Sequence, residues 1–240
     1  MKDINISKAI REKISGIEPG TIFGLKDLLP LENPQAVTLE LSRLSKKGAI
    51  ERLTKGKYFV PKASRFGKLR PSEWQILDQV IKENGGYFAG LVALNRIGVT
   101  TQIPSQVTIR GARSTRQLKI GNLTINIYRQ GNRGATYQQS TLTDIIEAAR
   151  LIKKTPDGNA QLTLDKISTY LKSLKIEERE KIKELLLNER PYVRALLGAL
   201  MENAEISQAQ EVKATLNPLT TYKIGISKAL LPNKESWGII

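Results

Sequence analysis

The chain has 240 residues, 40% of them hydrophobic, a net charge of +15, and neither cysteine nor histidine. That length holds two domains of ordinary size. The missing Cys and His exclude a disulfide framework, a Cys/His zinc site, and any Ser or Cys nucleophile served by a His base.

Ile6, Ile10, Ile14 and Ile17 open the chain as a helical stripe ending near Gly16. Glu18-Pro19-Gly20 reads as a turn, Thr21 to Phe23 as a short strand, and Gly24 to Leu29 as a brief helix with Leu25, Leu28 and Leu29 inward. After a turn at 30–32, Asn33 is a good N-cap and Pro34 suits the first helical turn. Val37, Leu41 and Leu44 recur at i, i+4 and i+7, and Gly48 stops the helix. Ile50 to Leu53 and Lys57 to Val60 then bracket the tight turn Thr54-Lys55-Gly56 as a basic hairpin. Helix, strand, helix, helix, hairpin is the order of a winged helix-turn-helix.

Residues 61–71, PKASRFGKLRP, hold four bases and no acid, and read either as a solvated connector or as a strap along a DNA backbone. A helix follows from Ser72 to the Gly85-Gly86 stop, and Tyr87 to Ile97 reads as a second helix with Leu91, Leu94 and Ile97 on one side. Gln106 to Arg110 alternates as a strand, and Leu118–Ile120 pairs with Leu123–Tyr128 across Gly121-Asn122. Ser140–Lys153, with Leu142, Ile145, Ile146, Ala149 and Ile152 inward, begins a helical region that continues over 162–174, 177–187 and 191–203. The tail carries Tyr222, Ile224, Ile226, Leu230, Leu231 and Trp237, which pack either on the chain's own domain or on a partner. The expected fold is α+β: a winged helix-turn-helix over 1–61, a basic linker over 62–71, and an α+β domain over 72–240 with a helical C-terminal part.

Charge is concentrated where the helix and hairpin lie, with net +8 over residues 1–70, +5 over 71–140 and +2 over 141–240. That is the footprint of a phosphate-binding surface. With Val37, Leu41 and Leu44 inward, Gln35, Ser42 and Lys46 point away, flanked by Thr38, Leu39 and Arg43. Gln can bridge adenine, Arg can grip guanine, and Leu39 or the Thr38 methyl can touch a thymine methyl. Lys46 and Lys47, at the far end, suit phosphates, as do Arg52, Lys55 and Lys57 in the hairpin. Tyr58 is expected to divide between core and backbone contact. Arg110, Arg113 and Arg116 offer a second phosphate loop or a grip on an acidic partner. A basic surface does not by itself distinguish DNA from RNA.

Against an enzyme, no GxxxxGK[ST] or GxGxxG motif occurs. Asp144, Glu147, Asp157 and Asp165 are the acids a metal-dependent nuclease would use, but they have no recognised spacing, and Asp144 and Glu147 read as the outer face of an amphipathic helix. No catalytic activity, metal or cofactor is expected. No run approaches the roughly 18 apolar residues of a membrane span, and MKDINISKAIREKI is no signal peptide, so a cytoplasmic protein without a membrane partner is expected.

The segments LSRLSKKGAIERLTKGKYFVPK, SRFGKLRPSE and GYFAGLVALNRIGVTTQIPSQVTI resemble the AbiEi-like antitoxins, in the variant common in Bacteroidetes, over about residues 5–130. The ending LNPLTTYKIGIS…LPNKESW is also similar to that group. The resemblance implies a phage-defence antitoxin that represses its own promoter through the winged helix and neutralises a nucleotidyltransferase-like toxin with its C-terminal region. By match to the wing, Arg52, Lys55 and Lys57 would carry double-stranded DNA. The alternative is a winged-helix regulator with a ligand- or protein-sensing C-terminal domain. A toxin-like neighbouring gene would separate the two.

Overall fold

The computed structural model describes residues 6–28, 34–102, 104–129, 138–155 and 159–240. Asn33, the 30–32 turn, Leu29 and Asp157 lie outside the described residues. The chain divides into two units, Met1–Glu83 with Lys119–Leu123, and Asn84–Leu118 with Thr124–Ile240.

The first unit runs α1 (Ile6–Ser15), β1 (Ile22–Gly24), α2 (Leu25–Leu28), α3 (Pro34–Lys46), β2 (Glu51–Thr54) and β3 (Lys57–Phe59). β3 is central in a three-stranded sheet of order β1-β3-β2, antiparallel on both sides. This is a winged helix. Its core joins Ile10 and Ile14 of α1, Phe23, Leu28, the expected Val37, Leu41 and Leu44 of α3, Ile50 and Tyr58. Gly48 closes α3 with a positive φ of 69°, and the Ala49 N–H reaches back to the Leu44 carbonyl at 3.0 Å.

The stretch expected as a linker contains a second hairpin, β4 (Lys62–Ser64) and β5 (Gly67–Leu69). It reads as a linker because it has no apolar alternation to bury, and its strands lie largely in solvent. α4 (Glu73–Asn84) follows, and its Glu83 forms an ion pair with Lys57 of the wing. That bond ties α4 to the winged helix, beyond the boundary expected at residue 71.

Then come β6 (Tyr87–Ala89), α5 (Leu91–Arg96), β7 (Gln106–Ala112), β8 (Arg116–Ile120) and β9 (Leu123–Arg129), the four strands forming a mixed sheet of order β6-β7-β9-β8 that belongs to the second unit apart from residues 119–123. Tyr87 to Ala89 is therefore a strand and not the start of a helix. All three residues are buried, pairing antiparallel with Thr108 to Arg110 of β7. Sheet pairing and burial on both faces override a pattern that three residues are too few to display. β7 and β9 run parallel, with Val107, Ile109, Ile125 and Ile127 buried.

Helices follow as α6 (Thr141–Arg150), α7 (Ala160–Ser173), α8 (Ile176–Leu187), α9 (Pro191–Asn203) and α10 (Ala209–Ala214). Ser140 caps α6 by accepting from the Thr143 N–H at 3.4 Å, while Thr143 Oγ1 accepts from the Ser140 N–H at 3.0 Å. Every residue from Leu142 to Ala149 is buried. α6 is thus enclosed all round, which corrects the expectation that Asp144 and Glu147 form an outer face. The tail packs on its own unit, burying Tyr222, Ile224, Ile226, Leu231 and Trp237 in the same core as α6 and α9.

Candidate nucleic-acid interface

α3 leaves Gln35, Thr38, Leu39, Ser42, Arg43, Lys46 and Lys47 exposed opposite its buried stripe. The helical period alone put them on one face, and the core contacts of Val37, Leu41 and Leu44 orient that face outward. Leu39 is 55% exposed, an apolar group available for contact. Thr38 spends its hydroxyl on the Pro34 carbonyl, 2.9 Å away, so its methyl is the group left to offer.

Beneath this face lies Glu40, which is 2% exposed. Its Oε1 accepts from Arg11 Nε at 2.8 Å and its Oε2 lies 3.5 Å from Arg43 Nη1. The Arg11 hydrogen bond holds the Glu40 carboxyl below the usual glutamate range. Glu40 is no part of the apolar stripe that the helical period displays. Its signal was its spacing, one turn after Val37 and one turn before Arg43.

The wing divides the expected contacts. Arg52 and Lys55 are exposed, and the register shifts between Arg52 and Thr54, which bends the strand. Lys57 is half-buried and ion-paired with Glu83, so its charge is largely neutralised. Tyr58 is 6% exposed and stacks on Phe23 with ring centroids 6.2 Å apart. It belongs to the core, in the same buried cluster as Phe23, Leu41 and Ile50. Arg52 and Lys55 are the exposed cations among the residues expected in the wing, Arg52 Nε also donating to the Thr54 carbonyl at 3.4 Å.

In the second unit, Arg110, Arg113 and Arg116 are exposed. Asn84 gathers two of them: its carbonyl accepts the Arg113 N–H at 3.1 Å and its Oδ1 accepts from Arg116 Nη2. Exposed Arg129 joins the group, since its N–H donates to Thr115 Oγ1 at 2.9 Å. Arg129 sits far along the chain and meets the loop through β7–β9 pairing, which no local pattern displays.

Of the acids raised as nuclease candidates, Asp144 and Glu147 are buried and held in structural contacts, while Asp165 is exposed on α7. Asp144 accepts from Arg96 Nε at 3.0 Å and from Gln139 Nε2 at 2.9 Å. Burial pushes its carboxyl up, and the Gln139 and Arg96 contacts oppose this only in part. Glu147 accepts the Gly90 N–H at 3.1 Å and pairs with Arg150, which also holds Glu189 and the Tyr87 hydroxyl. Among the described residues no group of three acidic or other ligating side chains is placed to hold a metal ion.

The architecture is that of an α+β protein with an N-terminal winged helix, a mixed sheet and a helical C-terminal part. The family model for the family of unknown function DUF6088 matches residues 9–182, and the chain belongs to that family. The crystal structure of the Rv2827c protein from Mycobacterium tuberculosis is similar in fold, with a TM-score of 0.50 at 12% identity, covering 92% of this chain and 86% of that one. No curated protein matches the sequence. No helix among the described residues is long and apolar enough to cross a membrane.

Proposed function

We propose that this chain is the DNA-binding antitoxin of a toxin–antitoxin pair, a non-enzymatic autorepressor that also neutralises a nucleotidyltransferase-like toxin. The observation that carries the DNA-binding half is the exposed α3 face from Gln35 to Lys47 beside a wing that presents Arg52 and Lys55. Such a helix reads base edges in the major groove while the wing and helix end hold phosphates. The non-enzymatic reading is supported by the absence of His and Cys and by the engagement of Asp144 and Glu147 with Arg96, Arg150 and backbone. The toxin-binding half rests on the AbiEi-like segments together with the exposed arginines of the second unit, which suit an acidic, metal-binding active centre.

A second reading, a regulator that senses a ligand, is favoured by one observation. The second unit has an open, mostly apolar cleft lined by Ile152, Ala160, Ile224, Ile226, Lys153 and Lys223. The experiment that separates them is co-expression of the full chain with the adjacent reading frame, alongside a footprint on the chain's own promoter. Growth rescue with a footprint supports the antitoxin. A footprint without any toxic neighbour supports the regulator, and no footprint removes both.

A further inference from the structure

The second hairpin, in the stretch expected as a connector or a strap along a DNA backbone, has a specific construction. Four bases and no acid lie between Lys62 and Arg70, and Lys62, Arg65, Lys68 and Arg70 are all exposed. At its tip stands Phe66, 84% exposed. The tip is fixed: Ser64 Oγ donates to the Gly67 carbonyl at 2.8 Å and accepts the Phe66 N–H at 3.2 Å. The Arg65 guanidinium lies over the Phe66 ring, 4.7 Å from its centroid. The root is fixed as well, because Lys68 Nζ donates to the Gly48 carbonyl at 2.7 Å. That bond places the hairpin at the C-terminal end of α3, where a cation also complements the helix dipole.

We infer that the hairpin Lys62–Leu69 is a second DNA-contacting wing whose Phe66 enters the minor groove as a wedge between two base pairs. The inference rests on the reading of the first unit as a duplex-DNA binder. With α3 in the major groove, its C-terminal end lies at the phosphate strand that borders that groove, and the minor groove is next across that strand. An aromatic ring at a rigid, basic tip is the device by which minor-groove proteins unstack a step and bend the duplex. Arg65, beside the ring, and Lys62 and Arg70, on the two strands' outer ends, hold the flanking phosphates. An acidic protein partner would meet the same charges, but the anchor to the recognition helix favours DNA.

The test uses the full chain and a duplex from its own upstream region, dye-labelled at both ends and carrying 2-aminopurine at successive positions. Bound wild-type protein should raise 2-aminopurine fluorescence at one step and shorten the end-to-end distance. Phe66→Ala should abolish both signals and weaken binding by about tenfold. Phe66→Trp should keep both. Because Phe66 lies in solvent, neither change disturbs the fold. Arg43→Ala should weaken binding yet retain the unstacking signal at saturating protein. Wild-type protein that binds without unstacking, or an unchanged signal in Phe66→Ala, overturns the wedge and leaves the DNA-binding reading intact. Failure of wild-type protein to bind any duplex at low salt overturns both.

Discussion

Glu40 Oε2 stands 3.5 Å from Arg43 Nη1 on the same helix, while Arg11 occupies the other carboxylate oxygen at 2.8 Å. A buried carboxylate thus sits under Arg43, and if the proposed α3 face reads DNA, Glu40 competes with the duplex for that guanidinium. Glu40→Gln should release Arg43 and remove a negative charge from beneath the interface. Binding to random duplex should strengthen a few-fold, and stability should fall by about 1–2 kcal/mol for the weakened charged hydrogen bonds. The pH effect has a definite sign. Because the folded-state carboxyl is held low, its stabilising contribution is present at neutral pH and lost as pH falls through that depressed value. Weaker random-duplex binding in the variant would refute the competition.

The helix and the wing should separate under mutation. Gln35→Ala or Arg43→Ala should cost about 1–3 kcal/mol on the preferred site and much less on random DNA. Lys55→Ala should weaken both alike and flatten the salt dependence, whose slope with about six phosphate contacts is roughly −5 in log affinity against log salt. Lys57→Ala should do less than Lys55→Ala, because Glu83 already neutralises it. Unchanged site preference in Arg43→Ala would mean that another face reads the bases.

Trp237 is a structural residue of the second unit. Its Nε1–H donates to Glu202 Oε2 at 2.8 Å, and its ring covers Gly198, where an added Cβ would come within 2.2 Å of it. Gly198→Ala should therefore cost about 1–3 kcal/mol by overpacking, and Trp237→Ala about 3–5 kcal/mol by the cavity it leaves. Urea denaturation of each variant measures this. A Trp237→Ala protein of wild-type stability would return this side chain to the role of a partner-facing anchor.

Asp144 gives a pH dependence of the opposite sign to Glu40. Burial raises its folded-state pKa, so the folded protein takes up that proton first as pH falls. Its charged form costs stability at neutral pH, and that cost is relieved on acidification through the raised value. Asp144→Asn should remove this component, visible as a flatter urea midpoint as pH falls from neutral through the raised value toward the ordinary aspartate range. Superimposable pH profiles for variant and wild type would show that the carboxyl titrates alike folded and unfolded.

If the second unit holds the toxin through its arginines, Arg110→Ala, Arg113→Ala and Arg129→Ala combined should abolish growth rescue on co-expression while leaving promoter binding within a few-fold of wild type. None of the three carries a carboxylate partner among the described residues, so their loss should not destabilise the unit. Undiminished rescue would place the toxin surface elsewhere.

The local periodicities were enough to read the winged helix. Val37, Leu41 and Leu44 at helical spacing determined which face of α3 is exposed, and Gly48 determined where it stops. The helices from Thr141 onward were legible for the same reason, since a long amphipathic pattern outlasts local noise. Three buried residues at Tyr87–Ala89 carried no such pattern, so their pairing with β7 was decided by the sheet.

What the sequence determined by itself was charge, its concentration in the first 70 residues, and the order of elements within the winged helix, because these are properties of composition and near neighbours. Which charges remain free was decided only by the tertiary structure. Glu83 reaches Lys57 across 26 residues, Glu40 gathers Arg11 from another helix, and Lys68 binds Gly48 from the next hairpin. An ion pair between distant segments leaves no period in the sequence, and its energy depends on burial that only the packed chain creates.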